Sequence, residues 1–139
     1  MTTSATVSVS VVVPAYNSSS ELRECLPALI RSTPTAFEII VVDDASTDDT
    51  AAVAADHGVV VLRLARNSGP GAARNAGARA ARGDIVFFVD ADVVAAPDAI
   101  ARVIRAFEAD PDLAAVFGSY DRCPRAPGLV SQYRNLFHH

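Results

Sequence analysis

The sequence is poor in several features that mark whole classes of protein. It has only two cysteines, Cys25 and Cys123, and two isolated thiols without C-x-x-C spacing form neither a zinc site nor a disulfide framework. No apolar run approaches the roughly 20 residues that cross a bilayer, and residues 1–9 lack the basic and apolar regions of a signal peptide. We therefore expect a cytoplasmic protein, which would meet the inner face of a membrane only through segments outside this chain.

An excess of positive charge is also missing. The net charge is −4 at pH 7 and the pI is about 5.2, so the overall field does not attract nucleic acid. A phosphate-bearing ligand would have to be held by local groups or by a metal. Half of the 139 residues are apolar, which is enough for one globular domain with a hydrophobic core.

Strand and helix patterns alternate along the chain. Five apolar runs rich in β-branched residues predict strands; they cover residues 7–13, 38–42, 59–64, 85–89 and 113–117. Helical spacing fills the intervals, and Pro27 is expected to kink or shorten the first helix. This order predicts an α/β fold, a mostly parallel sheet with helices on both faces. Ligands of such sheets bind at the carboxyl ends of the strands.

The most informative stretch is residues 85–92, IVFFVDAD. Its apolar run predicts a strand buried on both faces, and two carboxylates, Asp90 and Asp92, follow it. Neighbouring anions repel each other, so we expect a cation to neutralise them. Mg²⁺ and Mn²⁺ prefer oxygen ligands and share their coordination between carboxylates, water and phosphate. The stretch therefore predicts a metal site; the alternative is a solvated turn that caps the helix after it.

Polar residues follow the other strands at the same predicted edge. Asp43 and Asp44 end the second strand, where an acid can bind a base or ribose or serve only as a turn and helix cap. Tyr16 follows the first strand and offers a flat face to a base, although a tyrosine packed against the sheet is nearly as plausible.

A glycine loop, residues 69–71, precedes the third helix. Its backbone amides are positioned to face a phosphate. Arg74 follows in that helix and can offset phosphate charge or pair with Asp44 or Asp90, the alternative being an arginine on the helix surface. The loop is not the dinucleotide fingerprint, because it follows the third strand and lacks the third glycine.

Four segments, taken together and in order, resemble the motifs of one enzyme family. They are SVVVPAYN at 10–17, VVDDASTDDT at 41–50, RNSGPGAARNAG at 66–77 and FFVDAD at 87–92. As a set they resemble the family-2 glycosyltransferases, nucleotide-sugar enzymes with the Rossmann-like GT-A fold. The resemblance covers residues 7–118 and implies a nucleoside diphosphate sugar, most often UDP-linked, as the donor.

The resemblance also implies roles for individual residues. Asp92, with Asp90, would hold Mg²⁺ or Mn²⁺ on the diphosphate, and the donor would lie against residues of all four motifs. The residues expected to bind the nucleotide sugar are Pro14, Ala15, Tyr16, Asn17, Asp43, Asp44, Asn67, Gly69, Arg74, Asp90 and Ala91. The family's inverting chemistry is a direct displacement at the anomeric carbon, assisted by the metal and by a carboxylate general base.

In full-length members of this family the general base and the acceptor-binding elements come later in the chain. We therefore expect residues 1–6 to be a tail, 7–120 to form the donor-binding domain, and 121–139 to begin an acceptor-side region. No residue of this chain is predicted to be the general base, and the acceptor is left open.

Two other interpretations stay open. One is a donor-binding half-domain that binds nucleotide and metal without turnover. The weaker one is a phosphohydrolase of the haloacid-dehalogenase type, in which Asp90 would be the nucleophile; the lysine that this chemistry requires has no candidate downstream. A dehydrogenase is disfavoured by the position of the glycine loop.

Overall fold

The fold was described from a computed structural model, which covers residues 6–119. The predicted tail at 121–139 and Cys123 lie outside these residues. Strands and helices alternate in the order β1 (Val9–Ala15), α1 (Ser19–Ile30), β2 (Glu38–Asp43), α2 (Thr50–Asp56), β3 (Val60–Arg63), α3 (Pro70–Ala80), β4 (Ile85–Phe88) and α4 (Ala99–Ala109). Within residues 6–119, no helix is long and apolar enough to cross a membrane.

The four strands form one parallel sheet in the order β3-β2-β1-β4. The registers place Ala15 beside Asp43 and Asp43 beside Arg63, so β1, β2 and β3 end at the same level. On the other side of β1, Val12 pairs with Phe88 at the end of β4. The loops that follow all four strands therefore emerge at one edge of the sheet, as the alternating pattern predicted.

Helices cover both faces of this sheet, which confirms the predicted layers. On one face α3 packs against a cluster that contains Val12, Ile40 and Val42. On the other face the larger cluster joins the alternate residues of β1 with the apolar sides of α1, α2 and α4. Because successive strand side chains point to opposite faces, a strand buried on both faces is apolar at nearly every position. This is why β1 reads as a nearly continuous run of valines. The polar exception in β1 is Ser10, which is fully buried and donates a hydrogen bond to Glu38.

Two sequence-based details of the helices need correction. Pro27 does not shorten α1: the helix continues to Ile30, and the amide of Arg31 still donates to the carbonyl oxygen of Pro27 at 3.1 Å. The hydroxyl and acidic residues at 45–49 predict the start of the second helix, but that helix begins only at Thr50. That earlier segment is a loop that bonds to neighbouring loops and is described with the site.

Two strand predictions are also corrected. β4 is an edge strand of the described sheet, and Phe88 is 44% exposed, so this strand is not buried on both faces. The segment 113–117 is not a strand, and Phe117 at its end is 94% exposed. Both segments are apolar, as the sequence indicated. A segment becomes a strand only where a neighbouring strand pairs with it, however, and within residues 6–119 no strand pairs with 113–117.

Helix α3 lies very close to the sheet at Gly77. A Cβ atom there would lie 2.3 Å from Cγ1 of Val12 and 3.1 Å from Cγ2 of Val42. Both valines are fully buried, and a β-branched side chain in a buried strand has little freedom to turn away. Glycine is therefore required at this position to seat α3 on the sheet.

We predict opposite effects for two alanine substitutions in α3. Gly77→Ala should lower the free energy of unfolding by about 1–3 kcal/mol, because overpacking outweighs the gain in helix propensity. Gly71→Ala, where an added Cβ meets nothing within 4 Å, should be neutral or stabilising by up to about 1 kcal/mol. Urea denaturation of the two variants checks this, and equal effects would contradict the packing argument.

Candidate functional site

A cavity of about 470 Å³ lies at the carboxyl edge of the sheet. Its walls come from the loops after β1, β2, β3 and β4, together with the first turns of α1 and α3. The residues that line it are Pro14, Ala15, Tyr16, Asn17, Ser18, Glu21, Asp44, Asn67, Gly69, Pro70, Ala73, Arg74, Asp90, Ala91 and Asp92. The four motifs of the sequence, which are up to about 75 residues apart in the chain, thus meet at a single site.

Nearly every residue that the sequence singled out lies on this cavity. The structure adds Ser18, Glu21, Pro70 and Ala73, which the sequence argument missed. Ser18 and Glu21 stand immediately after the first motif, in the turn that starts α1. The rule that ligands bind at the carboxyl ends of the strands would have found them if it had been extended to the first turn of the following helix. The same holds for Pro70 and Ala73 in α3.

Asp43 is the exception, since it does not line the cavity. Its side chain is fully buried, and Oδ1 accepts a hydrogen bond from the amide of Ser46 at 3.0 Å. Its other oxygen lies 3.3 Å from Nε of Arg63 but has no partner with hydrogen-bond geometry. We count this contact as an ion pair with imperfect alignment. Asp43 therefore shapes the loop after β2 and is not placed to touch a ligand in the cavity.

The loop after β1 is bonded to the loop after β2. The amide of Asn17 donates to Oγ of Ser46, and Oδ1 of Asn17 accepts from the amide of Thr47, both at 2.9 Å. Asn17 has φ = 47°, a left-handed conformation that asparagine tolerates better than most residues. These bonds fix the turn that carries Tyr16, whose side chain is 48% exposed on the cavity wall.

Asp48 strengthens the same junction. Its Oδ1 accepts hydrogen bonds from the amide and the hydroxyl of Thr50, and its Oδ2 accepts the amide of Ser19 at 3.3 Å. These bonds, led by the one from the Thr50 hydroxyl, hold the pKa of Asp48 below its usual range. The aspartates of the second motif therefore have separate tasks, and Asp48 belongs to the framework of the site.

Asp44 connects the β2 loop to the glycine loop. Its Oδ1 accepts the amide of Ser68 and its Oδ2 accepts the amide of Gly69, each at 2.8 Å. The carboxylate is 3% exposed and lies at the amino end of α3, where a helix favours negative charge. Of the loop amides expected to face a phosphate, that of Gly69 is thus already engaged by Asp44. A phosphate in the cavity would need another source of positive charge.

Asp90 and Asp92 stand in the turn after β4 and differ in their surroundings. Oδ1 of Asp90 lies 2.6 Å from Nη2 of Arg74, and both side chains are partly exposed. Asp92 is exposed on the cavity wall, and within residues 6–119 it forms no ion pair. Asp92 is therefore the more available of the two carboxylates for a cation.

The cavity carries an excess of negative charge. Among residues 6–119, four carboxylates line it, those of Glu21, Asp44, Asp90 and Asp92, and one guanidinium, that of Arg74. A diphosphate would add further negative charge to a site that already has an excess. Anions so close to each other are unfavourable unless a cation bridges them.

The donor set fits Mg²⁺ or Mn²⁺ shared with a ligand. Within the described residues there is no group of three or more acidic, histidine or cysteine side chains that could cage a metal alone. Two carboxylates on an open wall match ions that retain waters and bind substrate phosphate oxygens. Asp92 and Asp90 would hold such an ion, and the diphosphate would complete its coordination.

Cys25 of α1 lies directly beneath this turn. Its Sγ is 3.9 Å from the carbonyl oxygen of Asp90, within reach of a weak S–H bond. Burial raises the pKa of the Cys25 thiol to about 12, with smaller contributions from Asp92 and Asp90. The thiol therefore stays protonated and unreactive at neutral pH, which supports the interpretation of Cys25 as a core residue.

The bonds to Asp44 predict that Asp44→Asn loosens the glycine loop. The carboxamide can accept from one loop amide, but its NH₂ group then faces the other donor. We expect the free energy of unfolding to fall by about 1–3 kcal/mol, and the amides of Ser68 and Gly69 to lose protection in hydrogen exchange. Protection equal to that of the unsubstituted chain would contradict the role given to Asp44.

The family model described as Glycosyl transferase family 2 matches residues 10–136. The chain is 33% identical over 131 residues to the chondroitin synthase of Escherichia coli, and the match covers 91% of this chain and 19% of that protein.

Two solved structures share the fold. The S. aureus TarS fragment 1–349 in complex with UDP-GlcNAc is 32% identical, with a TM-score of 0.67, and the match covers 74% of this chain and 32% of that one. The mannosyltransferase PcManGT from Pyrobaculum calidifontis, in complex with GDP-Man and Mn²⁺, is 29% identical, with a TM-score of 0.70 and coverage of 92% and 38%.

This chain spans 19% to 38% of the length of the three proteins. The matched region nevertheless includes all four motifs and every residue that lines the cavity. The match over residues 10–136 and the shared architecture show that the chain belongs to glycosyltransferase family 2 and has its GT-A fold.

Proposed function

We propose that this chain binds the nucleoside diphosphate sugar donor of a family-2 glycosyltransferase, with Mg²⁺ or Mn²⁺ between its carboxylates and the diphosphate. The observation that carries the proposal is the convergence of Tyr16, Asp44, Arg74 and Asp92 on one cavity. A UDP-linked sugar is the donor we propose first. Related structures hold UDP-GlcNAc in one case and GDP-Man with Mn²⁺ in another.

Each wall of the cavity suits a different part of the donor. The loops after β1 and β2 offer an aromatic face and buried polar atoms to the base and ribose. The turn after β4 offers carboxylates, which together with a metal would hold the diphosphate, and Asp90 would lie toward the ribose or sugar. Asn67 and Gly69 of the third motif also line the cavity.

The reaction we propose is inverting transfer of the sugar to an acceptor hydroxyl. A divalent metal held by Asp92 and Asp90 would supply Lewis-acid stabilisation of the departing diphosphate. Asp92 and Asp90 orient that group, and Arg74 adds a positive charge on the same side. None of the cavity's carboxylates is assigned as the general base, because each accepts a hydrogen bond from the protein or is proposed as a metal ligand. We place that base, with the acceptor site, outside residues 7–120.

The location and extent of the functional unit are also proposals. We propose that residues 7–120 are the donor-binding domain. We also propose that the protein works in the cytoplasm, and at the inner face of the membrane if its acceptor lies there. The absence of a disulfide framework supports this location.

Removal of the proposed metal ligand should abolish metal-dependent binding. In calorimetric titrations with UDP and Mn²⁺, Asp92→Asn should raise Kd at least about tenfold, because one charge-assisted ligand is lost. Its affinity should then approach that of the unsubstituted chain in EDTA. Asp98→Asn removes the same charge from a residue paired with Arg102, outside the cavity, and should leave the Kd unchanged. Equal UDP binding with Mn²⁺ and with EDTA would refute the metal site.

Tyr16 should contribute through its ring and not through its hydroxyl. If the base stacks on it, Tyr16→Ala should weaken UDP binding by about 5- to 150-fold, the usual range for loss of an aromatic platform. Tyr16→Phe keeps the flat face and should bind within about twofold of the unsubstituted chain. A loss of the same size in both variants would instead indicate a hydroxyl contact.

Turnover is a separate question from binding. Release of UDP from UDP-sugars by the purified chain, abolished in Asp92→Asn, would support a competent enzyme. Mn²⁺-dependent UDP binding without release would support the half-domain interpretation. The phosphohydrolase interpretation has no support in the site, because Asp90 is paired with Arg74 and the chain contains no lysine.

A further inference from the structure

The ion pair between Arg74 and Asp90 lies inside the cavity and uses an oxygen that the proposed metal site also needs. Nη2 of Arg74 is 2.6 Å from Oδ1 of Asp90, and the two side chains are 37% and 49% exposed. In the ligand-free chain, one of the two proposed metal ligands is therefore already neutralised by the protein itself.

We infer that Arg74 holds Asp90 until nucleotide binds and then transfers to the diphosphate, so that nucleotide binding makes Asp90 available to the metal. The inference rests on the proposed function and goes beyond it, because it makes Arg74 the positioning residue that couples the two ligands. Metal alone then binds weakly, and metal and nucleotide strengthen each other's binding.

The exchange is favoured by the chemistry of the guanidinium. Arginine presents a planar fork of donors that suits phosphate oxygens, and a diphosphate carries more negative charge than a single carboxylate. An ion pair as exposed as this one changes an equilibrium constant by no more than about fivefold. Arg74 is therefore held firmly enough to compete with a metal, yet weakly enough to be released by a better anion.

The position of Arg74 in α3 allows the side chain to move while the helix stays fixed. Its neighbour Ala73 is fully buried against the sheet, and Gly77, one turn later, is in close contact with Val12. These contacts anchor the helix on one face, while the side chain of Arg74 is on the face toward the cavity. Exchange of partners needs only rotation about side-chain bonds, which is fast.

Coupling of this kind must be reciprocal. If UDP raises the affinity for Mn²⁺ by some factor, Mn²⁺ raises the affinity for UDP by the same factor. Loss of Arg74 should therefore have two effects of opposite sign. Mn²⁺ alone should bind more tightly, because its competitor and a repelling charge are gone, while UDP should bind more weakly and the coupling factor should shrink.

The test is a titration of Mn²⁺, followed by its electron paramagnetic resonance signal, with and without saturating UDP. For Arg74→Gln we expect Mn²⁺ alone to bind about two- to tenfold more tightly than in the unsubstituted chain. We expect UDP in the presence of Mn²⁺ to bind at least about fivefold more weakly. Arg79→Gln is the matched control: it removes the same charge from the same helix at an exposed position outside the cavity, and both affinities should stay unchanged.

The outcomes separate this inference from the proposed function. If Arg74→Gln binds Mn²⁺ alone no better than Arg79→Gln does, the exchange is refuted, while Mn²⁺-dependent binding of UDP by the unsubstituted chain would leave the donor site intact. If the unsubstituted chain binds Mn²⁺ but neither UDP nor GDP, the proposed function fails and the exchange fails with it. If Arg74 had only a structural role, Arg74→Gln would lower the affinities for Mn²⁺ and for UDP together, which differs from the predicted pattern of one increase and one decrease.

Discussion

The structure depends on how it neutralises the negative charge collected at one edge of the sheet. Parallel registers bring the strand ends together, and with them the aspartates that follow β2 and β4. Each carboxylate is treated differently. Asp43 is buried beside Arg63, Asp44 accepts two loop amides, Asp90 is paired with Arg74, and Asp92 is left facing the cavity.

These different surroundings separate the carboxylates that stabilise the loops from those that we propose to bind ligand. The bonds of Asp44 are short, buried and directed to backbone donors, so their loss leaves unsatisfied groups and is costly. The Arg74–Asp90 pair is exposed and contributes little to stability. The deepest charges thus build the loops, while the exchange of partners that we propose involves only the exposed ones.

Much of this arrangement was predictable from the sequence, for a physical reason. Period-two and helical patterns fix which segments become strands and helices, and the topology of parallel sheets then places their polar ends at one edge. This logic found cavity residues in all four motifs, although it missed Pro70 and Ala73 of the third motif. The same logic predicts a cation site at Asp90-Ala91-Asp92, and this stays a prediction.

The rest depended on tertiary contacts that no local pattern encodes. Arg63 pairs with Asp43, which does not line the cavity. The amides of Ser68 and Gly69 donate to Asp44, which does line it. The apolar segment at 113–117 resembled a strand, but strand formation needs a pairing neighbour. Likewise, the sequence left Arg74 with several possible partners, and only the placement of α3 on the sheet through Gly77 selected Asp90.

The central claim is that a divalent metal joins the turn after β4 to a nucleoside diphosphate. Paramagnetic broadening tests it most directly, with ¹⁵N-labelled protein, saturating UDP and a small amount of Mn²⁺. We predict that the amide signals of Ala91 and Asp92 disappear first, while those of β3 at the far edge of the sheet persist. Broadening centred instead on the acidic loop around Asp48 and Asp49, or identical broadening with and without UDP, would contradict the account.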